Sequence, residues 1–186
     1  MLLFSPGDVL LYQAPAIKLS NTFPELIRLI TGNKVIHVAL YLGYNNGHVI
    51  LEALSDGVNI KTLGNTEIYD RVNGFKLYGI SRLPNISISS NNIVFMVAAA
   101  KYNKSPYGYL TILNLLFQHM KTRIFPKLLW TVWFKSKHGY ICSEVSRLVL
   151  QDVLEINNIK LPFLKPAAVT EPDDYLAAPW KVILNK

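Results

Sequence analysis

The sequence predicts one α+β domain in which strands come first and helices surround and follow them. Three observations carry that expectation. Two strand-like runs, "VIHVALYLG" and "HVILEAL", are joined by "YNNG", and Asn46-Gly47 is a strong hairpin signal because both residues tolerate positive φ. Later stretches, "NNIVFMVAAAKYN" and "YLTILNLLFQHM", read as helices, and Val145, Leu148, Val149 and Ile156 fall at helical spacing behind Cys142. Finally, 186 residues with 51% hydrophobic and 17% charged content suffice for one sizeable core, with no repeat, low-complexity tract or linker to divide it.

Taken in order, "GDVLLY" (7–12) is a buried strand after the Pro6-Gly7 turn. "NTFPELIRLITGN" carries helix punctuation, with Asn21 or Thr22 as cap, Pro24 and Glu25 in the first turn and Gly32 as terminator. After the hairpin, "VNIKTL" and "GFKLYGISRL" are further strands. Asn91 or Asn92 caps the next helix, and the apolar stretch from Tyr109 continues into a basic, aromatic one that also reads as helical. The Cys142 helix follows. "LPFLKPAAVTEPDDYLAAPWKVI", with Pro162, Pro166, Pro172 and Pro179, reads as an irregular tail.

Composition narrows the function classes. A single cysteine forbids an internal disulfide, so the fold owes nothing to an oxidising compartment. The N-terminus "MLLFSPGDVLLY" lacks the parts of a signal peptide, and no apolar run approaches the roughly 18–20 residues that span a bilayer. A soluble, cytoplasmic protein able to touch membranes is expected. The formal charge of +7 is uneven: Lys121, Arg123, Lys127, Lys135 and Lys137 fall in "HMKTRIFPKLLWTVWFKSKHG", beside Trp130, Trp133 and Phe134 and without an acidic residue. That pattern suits an interfacial segment on anionic lipid, and equally a core helix with a solvated basic rim. Nucleic acid is not expected as a partner, because no helix-turn-helix, zinc finger or aromatic RNA-binding motif is present. Neither a metal nor a cofactor is expected: one Cys without close-spaced ligand pairs makes a poor zinc site, and "GNKVIHV" lacks the spacing of a phosphate loop.

The chemistry concentrates on Cys142. If the hairpin loop has an even number of residues, position 39 pairs with 52, and His37 and Glu52 become diagonal neighbours on one face. A carboxylate on one imidazole nitrogen fixes the tautomer and leaves the other nitrogen free to take a proton. An odd loop or a bulge would put Glu52 on the opposite face. A helix starting near Cys142 or Ser143 favours a thiolate at its N-terminus, and a neighbouring imidazolium lowers the thiol further. The backbone N–H of Cys142 would then donate to an oxyanion. By residue type alone, the same Cys reads as a packing residue and the same His as a satisfied strand residue. Asp8 reads as a structural turn carboxylate, His48 as solvated, and His119 and His138 as surface residues of the basic insert. Asp56 is the reserve for the third member.

Two blocks resemble the NlpC-like branch of the papain-type cysteine peptidases. One holds "VAAAKYNKSPYGY", "YICSEVSRLVL" and "NNIKLP"; the other holds "SPGDVLLY", "IHVALYLG" and "VILEALSDGV". The His block precedes the Cys block, which is similar to the circularly permuted, YiiX-like members. The resemblance covers most of the chain outside an insert at about 109–137 and the region around 60–90. It implies a permuted papain-like fold over 1–186, with Cys142 as nucleophile, His37 as base, Glu52 as the orienting residue and Tyr107 shaping the substrate and oxyanion site. The implied activity is a cysteine hydrolase acting on an amide or other acyl bond, in a peptide, an isopeptide or a lipid-linked acyl substrate. Relatives of the permuted type include lipid acyltransferases, so a lipid-directed transferase or hydrolase is the alternative, and a non-catalytic papain-like binding module is the third. Ile141 stands where ordinary members often have an acidic residue, and "CSE" replaces their "CSG"; both point toward the permuted group. The insert is absent from compact peptidoglycan-cutting members, which argues against a cell-wall substrate.

Overall fold

The computed structural model describes residues 4–13, 31–71, 74–83, 92–124, 139–157, 159, 167, 170–177 and 180–184. Six strands form one antiparallel sheet: β1 (Val9–Gln13), β2 (Val35–Tyr44), β3 (His48–Leu54), β4 (Gly57–Leu63), β5 (Lys76–Arg82) and β6 (Lys181–Leu184). Their spatial order is β4-β3-β2-β1-β5-β6, so β1 and β2 lie at the centre. Among the described residues the longer helices are α1 (Asn92–Ala100), α2 (Tyr109–Ile124) and α3 (Cys142–Ile156). The expected α+β arrangement and every expected strand are present. Most of the helix expected in "NTFPELIRLITGN", His138 and the segment 125–138 lie outside the described residues.

The central strands are buried on both faces, which is why their sequences run apolar without strict alternation. On one face Val9, Leu11, Val38 and Leu40 pack with Phe95 of α1 and Val145 and Val149 of α3. On the other, Leu10, Tyr12, Ala39, Tyr41, Ile50, Leu77 and Ile80 cluster with Ile68, with Phe4, Tyr69 and Phe75 at the margin. Helices α1 and α3 are tied at their outer ends, where Asp152 accepts from Tyr102 Oη at 2.9 Å and Lys101 Nζ at 3.0 Å.

The hairpin departs from expectation twice, and the departures cancel. Tyr44 pairs with His48, leaving a three-residue loop, Asn45–Gly47, in which Asn46 has φ +53°. An odd loop alone would turn Glu52 to the wrong face. The register also shifts between Tyr41 and Gly43, so Leu42 is bulged and the parity returns. Ala39 therefore faces Glu52.

Two described parts of the proline-rich tail are regular where an irregular tail is expected. Residues Pro172–Leu176 form a 3₁₀ helix, and Lys181–Leu184 add an edge strand to β5. A four-residue strand beyond Pro179 is too short to register as a periodic run, and an edge position tolerates the prolines around it. The 3₁₀ segment is a clamp. Asp173 accepts the backbone N–H groups of Lys34 at 3.3 Å and Val35 at 3.0 Å, fixing the start of β2. Tyr175 Oη donates to the Ser143 carbonyl at 2.9 Å, and Ser143 Oγ to the Thr170 carbonyl at 2.6 Å, fixing the start of α3.

Gly57 anchors the other side of the site. Its φ is +109°, and an added Cβ would sit 2.7 Å from the Ser105 carbonyl oxygen. That close approach lets Val58 exchange backbone hydrogen bonds with Ser105 and Lys104, both at 2.8 Å, just ahead of Tyr107.

Candidate active site

The start of α3 delivers Cys142. Its N-cap, Ile141, is extended and offers no side-chain hydrogen bond, so the first N–H groups of the helix are not consumed by a cap. The Ser143 and Val38 N–H groups favour a charged sulfur there, since both lower the thiol. The burial of Cys142 is near complete, at 7% exposure, yet it lines a narrow cleft of about 60 Å³. Ile36, Tyr107, Ile112, Leu115 and Ile141 form much of the cleft wall. A larger cavity of about 460 Å³ lies between α1 and the β2–β3 hairpin, but no His, Cys, acidic or basic residue lines it. Of the residues singled out in the sequence, Cys142 and Tyr107 line the smaller space.

His37 comes from β2, opposite Tyr12 and beside a register shift at the end of β1. Its Nε2 lies 3.1 Å from Glu52 Oε2, and its ring is near enough to Cys142 for each to shift the other's titration. With Nε2 engaged by the carboxylate, Nδ1 is the nitrogen left for sulfur. Phe75 stacks on the imidazole at 5.3 Å between centroids, inclined by 19°. Residues 37, 52 and 142 thus meet as the sequence reading requires.

The electrostatics form a chain of opposite charges. Burial pushes the Cys142 thiol up, but the His37 charge, its hydrogen bond and the two backbone N–H groups outweigh that and lower it. Burial pulls His37 down, but the Cys142 thiolate and Glu52 raise it to about 9. Burial likewise raises Glu52, and is overcome by His37, Arg71 and Lys61, which bring its carboxyl to about 2. A lowered thiol and a raised imidazole are the two directions that a thiolate–imidazolium pair requires.

Tyr107 borders the same cleft. A lone parallel bridge joins it to Tyr140, with Gly108 N–H to the Tyr140 carbonyl and Tyr140 N–H to the Pro106 carbonyl, both 3.0 Å. Burial, then the negative charge on Cys142, raises its phenol well above the usual range, so the hydroxyl stays protonated and able to donate.

Several other residues differ from expectation. His119 is not a plain surface residue: its Nε2 lies 2.9 Å from Glu171 Oε2, which also accepts from Asn33 Nδ2 at 2.9 Å, so α2 is tied to the 3₁₀ clamp beside the cleft. His48 is half-buried rather than solvated, with Nδ1 3.3 Å from Tyr41 Oη and its ring against Phe4 and Tyr44. Asp8 is structural as expected, gripped by Arg82 Nε and Nη2, both at 2.7 Å. Asp56 is 61% exposed and pairs only loosely, at 3.9 Å, with Lys61. Arg71 went unnoticed in the sequence: its Nη2 donates to Glu52 Oε1 at 2.6 Å. No run or motif marks it, because it lies in the aperiodic turn before β5.

No protein-family model matches the chain, and no curated protein matches it. Among the described residues no group of three or more His, Cys, Asp or Glu is arranged to hold a metal ion. No helix among them is long and apolar enough to cross a membrane.

Proposed function

We propose that the protein is a cysteine acyl hydrolase, a circularly permuted papain-like enzyme of the NlpC-type, YiiX-like kind. The observation that carries this reading is the buried row Cys142–His37–Glu52, in which a histidine braced by a carboxylate lowers a thiol that opens on a cleft. The Cys142 thiolate attacks the acyl carbon, and a carbon–sulfur bond forms as the carbonyl π bond opens. The oxyanion is met by the α3 N-terminus, including the Cys142 N–H, with Tyr107 beside it. His37 gives its proton to the leaving amine or alcohol as that bond breaks, leaving a thioester. It then takes a proton from water, whose attack releases the acid and restores the thiolate.

The test is capture of the intermediate. Incubated with a cell lysate and quenched in acid, the wild-type protein should gain an acyl mass on the Cys142 peptide that hydroxylamine removes. An unmodified peptide from wild-type protein that is intact and readily alkylated would count against acyl transfer.

A second reading places the acyl group on a lipid, and one observation favours it. The outer face of α2 carries Leu110, Leu113 and Phe117 at 49%, 56% and 39% exposure, while Ile112, Leu115 and Leu116 of the same helix line the Cys142 cleft. A helix apolar toward both cleft and solvent fits a bilayer surface, and the basic, aromatic stretch that follows it suits anionic headgroups. Wild-type protein should cosediment with phosphatidylglycerol-containing vesicles, and Leu113→Asp with Phe117→Asp should reduce binding at least ~10-fold. Equal recovery of both proteins with the vesicles would remove α2 as the docking face. No binding by wild type would leave the soluble acyl substrate.

A further inference from the structure

We infer that Arg71 is a positioning residue of this site, a fourth member that holds Glu52 charged and aimed at His37. The inference builds on the proposed nucleophile but rests on its own geometry. Glu52 is 1% exposed, and its two oxygens are divided between different partners. Oε1 takes the Arg71 guanidinium at 2.6 Å and Lys61 Nζ at 3.3 Å; Oε2 takes His37 Nε2 at 3.1 Å. Three cationic partners around one buried carboxylate are more than orientation of an imidazole requires.

Charge balance explains the arrangement. With thiolate and imidazolium formed, the pair is neutral, and Glu52 would leave one uncompensated negative charge in a buried site. That is costly, and it would oppose ionisation of the sulfur. The Arg71 guanidinium, itself only 8% exposed, cancels it. Cys142, His37, Glu52 and Arg71 then alternate in sign and sum to zero. Lys61 is a lesser contributor, since its side chain is 34% exposed and water can replace it.

The fold commits the turn before β5 to this task. Arg71 N–H donates to the Phe75 carbonyl at 2.9 Å, Gly74 N–H to the Arg71 carbonyl at 2.7 Å, and Leu77 N–H to the Tyr69 carbonyl at 2.8 Å. One tight turn thereby sends Arg71 to Glu52 and Phe75 onto the His37 ring. The guanidinium also lies 5.9 Å from the centre of the Tyr12 ring, a buried aromatic wall with a phenol that burial keeps protonated.

Removing Arg71 acts on the thiol in one direction by two routes. A positive charge is lost from the buried cluster, leaving the Glu52 charge uncompensated, and the freed Glu52 holds the imidazolium less well; both raise the thiol. The test needs no substrate: alkylation of Cys142 by iodoacetamide across pH, with folding checked by circular dichroism. Arg71→Met should move the acid limb upward by about one unit, so that alkylation well below the wild-type midpoint slows roughly tenfold. Arg71→Lys, which keeps the charge but shortens the reach, should fall between, and Lys101→Met, whose partner Asp152 lies outside the cluster, should stay within about twofold of wild type. A wild-type pH profile in whichever Arg71 variant folds would overturn the assignment. An inert Cys142 in wild-type protein would overturn the nucleophile itself, a different failure from that one.

Discussion

Replacing Cys142 with Ala is expected to abolish thioester formation and turnover, by roughly 10⁴-fold or more, while leaving the fold intact. The side chain fills little volume, and its loss leaves the surrounding packing of Val145, Val38 and Tyr107 to relax around a methyl group. Cys142→Ser should be as inactive, although it restores the size. A hydroxyl is a far weaker acid than a thiol, and an imidazole raised to about 9 by a thiolate partner has no such partner in the serine variant. The pair of substitutions separates packing from ionisation. A buried cysteine that merely fills space would lose stability on change to Ala and leave any activity untouched. Mass spectrometry of the captured acyl group, with turnover once that group is known, provides the measurement.

The second large effect belongs to His37→Ala. In the wild type, burial opposes the thiolate and the imidazolium overrides it. Without the ring only the two backbone N–H groups remain to help, and the thiol should move above its ordinary value near 8.5. At pH 6 the thiolate fraction then drops below ~1%, and alkylation falls in proportion. The alkaline side carries a further sign. As pH rises through about 9, His37 loses the proton that a leaving group needs, whereas the thiolate persists. Turnover should therefore be bell-shaped in pH while alkylation stays high. Two identical profiles would show that imidazole takes no part in leaving-group protonation.

The strands were legible because their apolar runs are long and bounded by turn residues, and the α3 start was legible from the spacing of Val145, Leu148 and Val149. The pairing of His37 with Glu52 was reached through a hairpin whose details differ from those assumed. An odd loop and a bulge at Leu42 each shift the parity, and sequence periodicity cannot see a pair of compensating one-residue shifts. Arg71 and the clamp formed by Thr170, Glu171, Asp173 and Tyr175 were illegible for another reason. Their roles rest on hydrogen bonds to residues far along the chain, such as Val35 and Ser143, and nothing local in "TEPDDY" or "YDRVNGF" announces them. His119 belongs to the same class, since its partner lies 52 residues away.

The pH dependence of Cys142 alkylation in the unmodified protein tests the central claim most directly. Ionisation of the sulfur by a ring more than a hundred residues distant in sequence predicts rapid labelling at pH 6, already near its plateau. A rate that stays negligible at pH 6 and climbs only through the range of an ordinary thiol would contradict it.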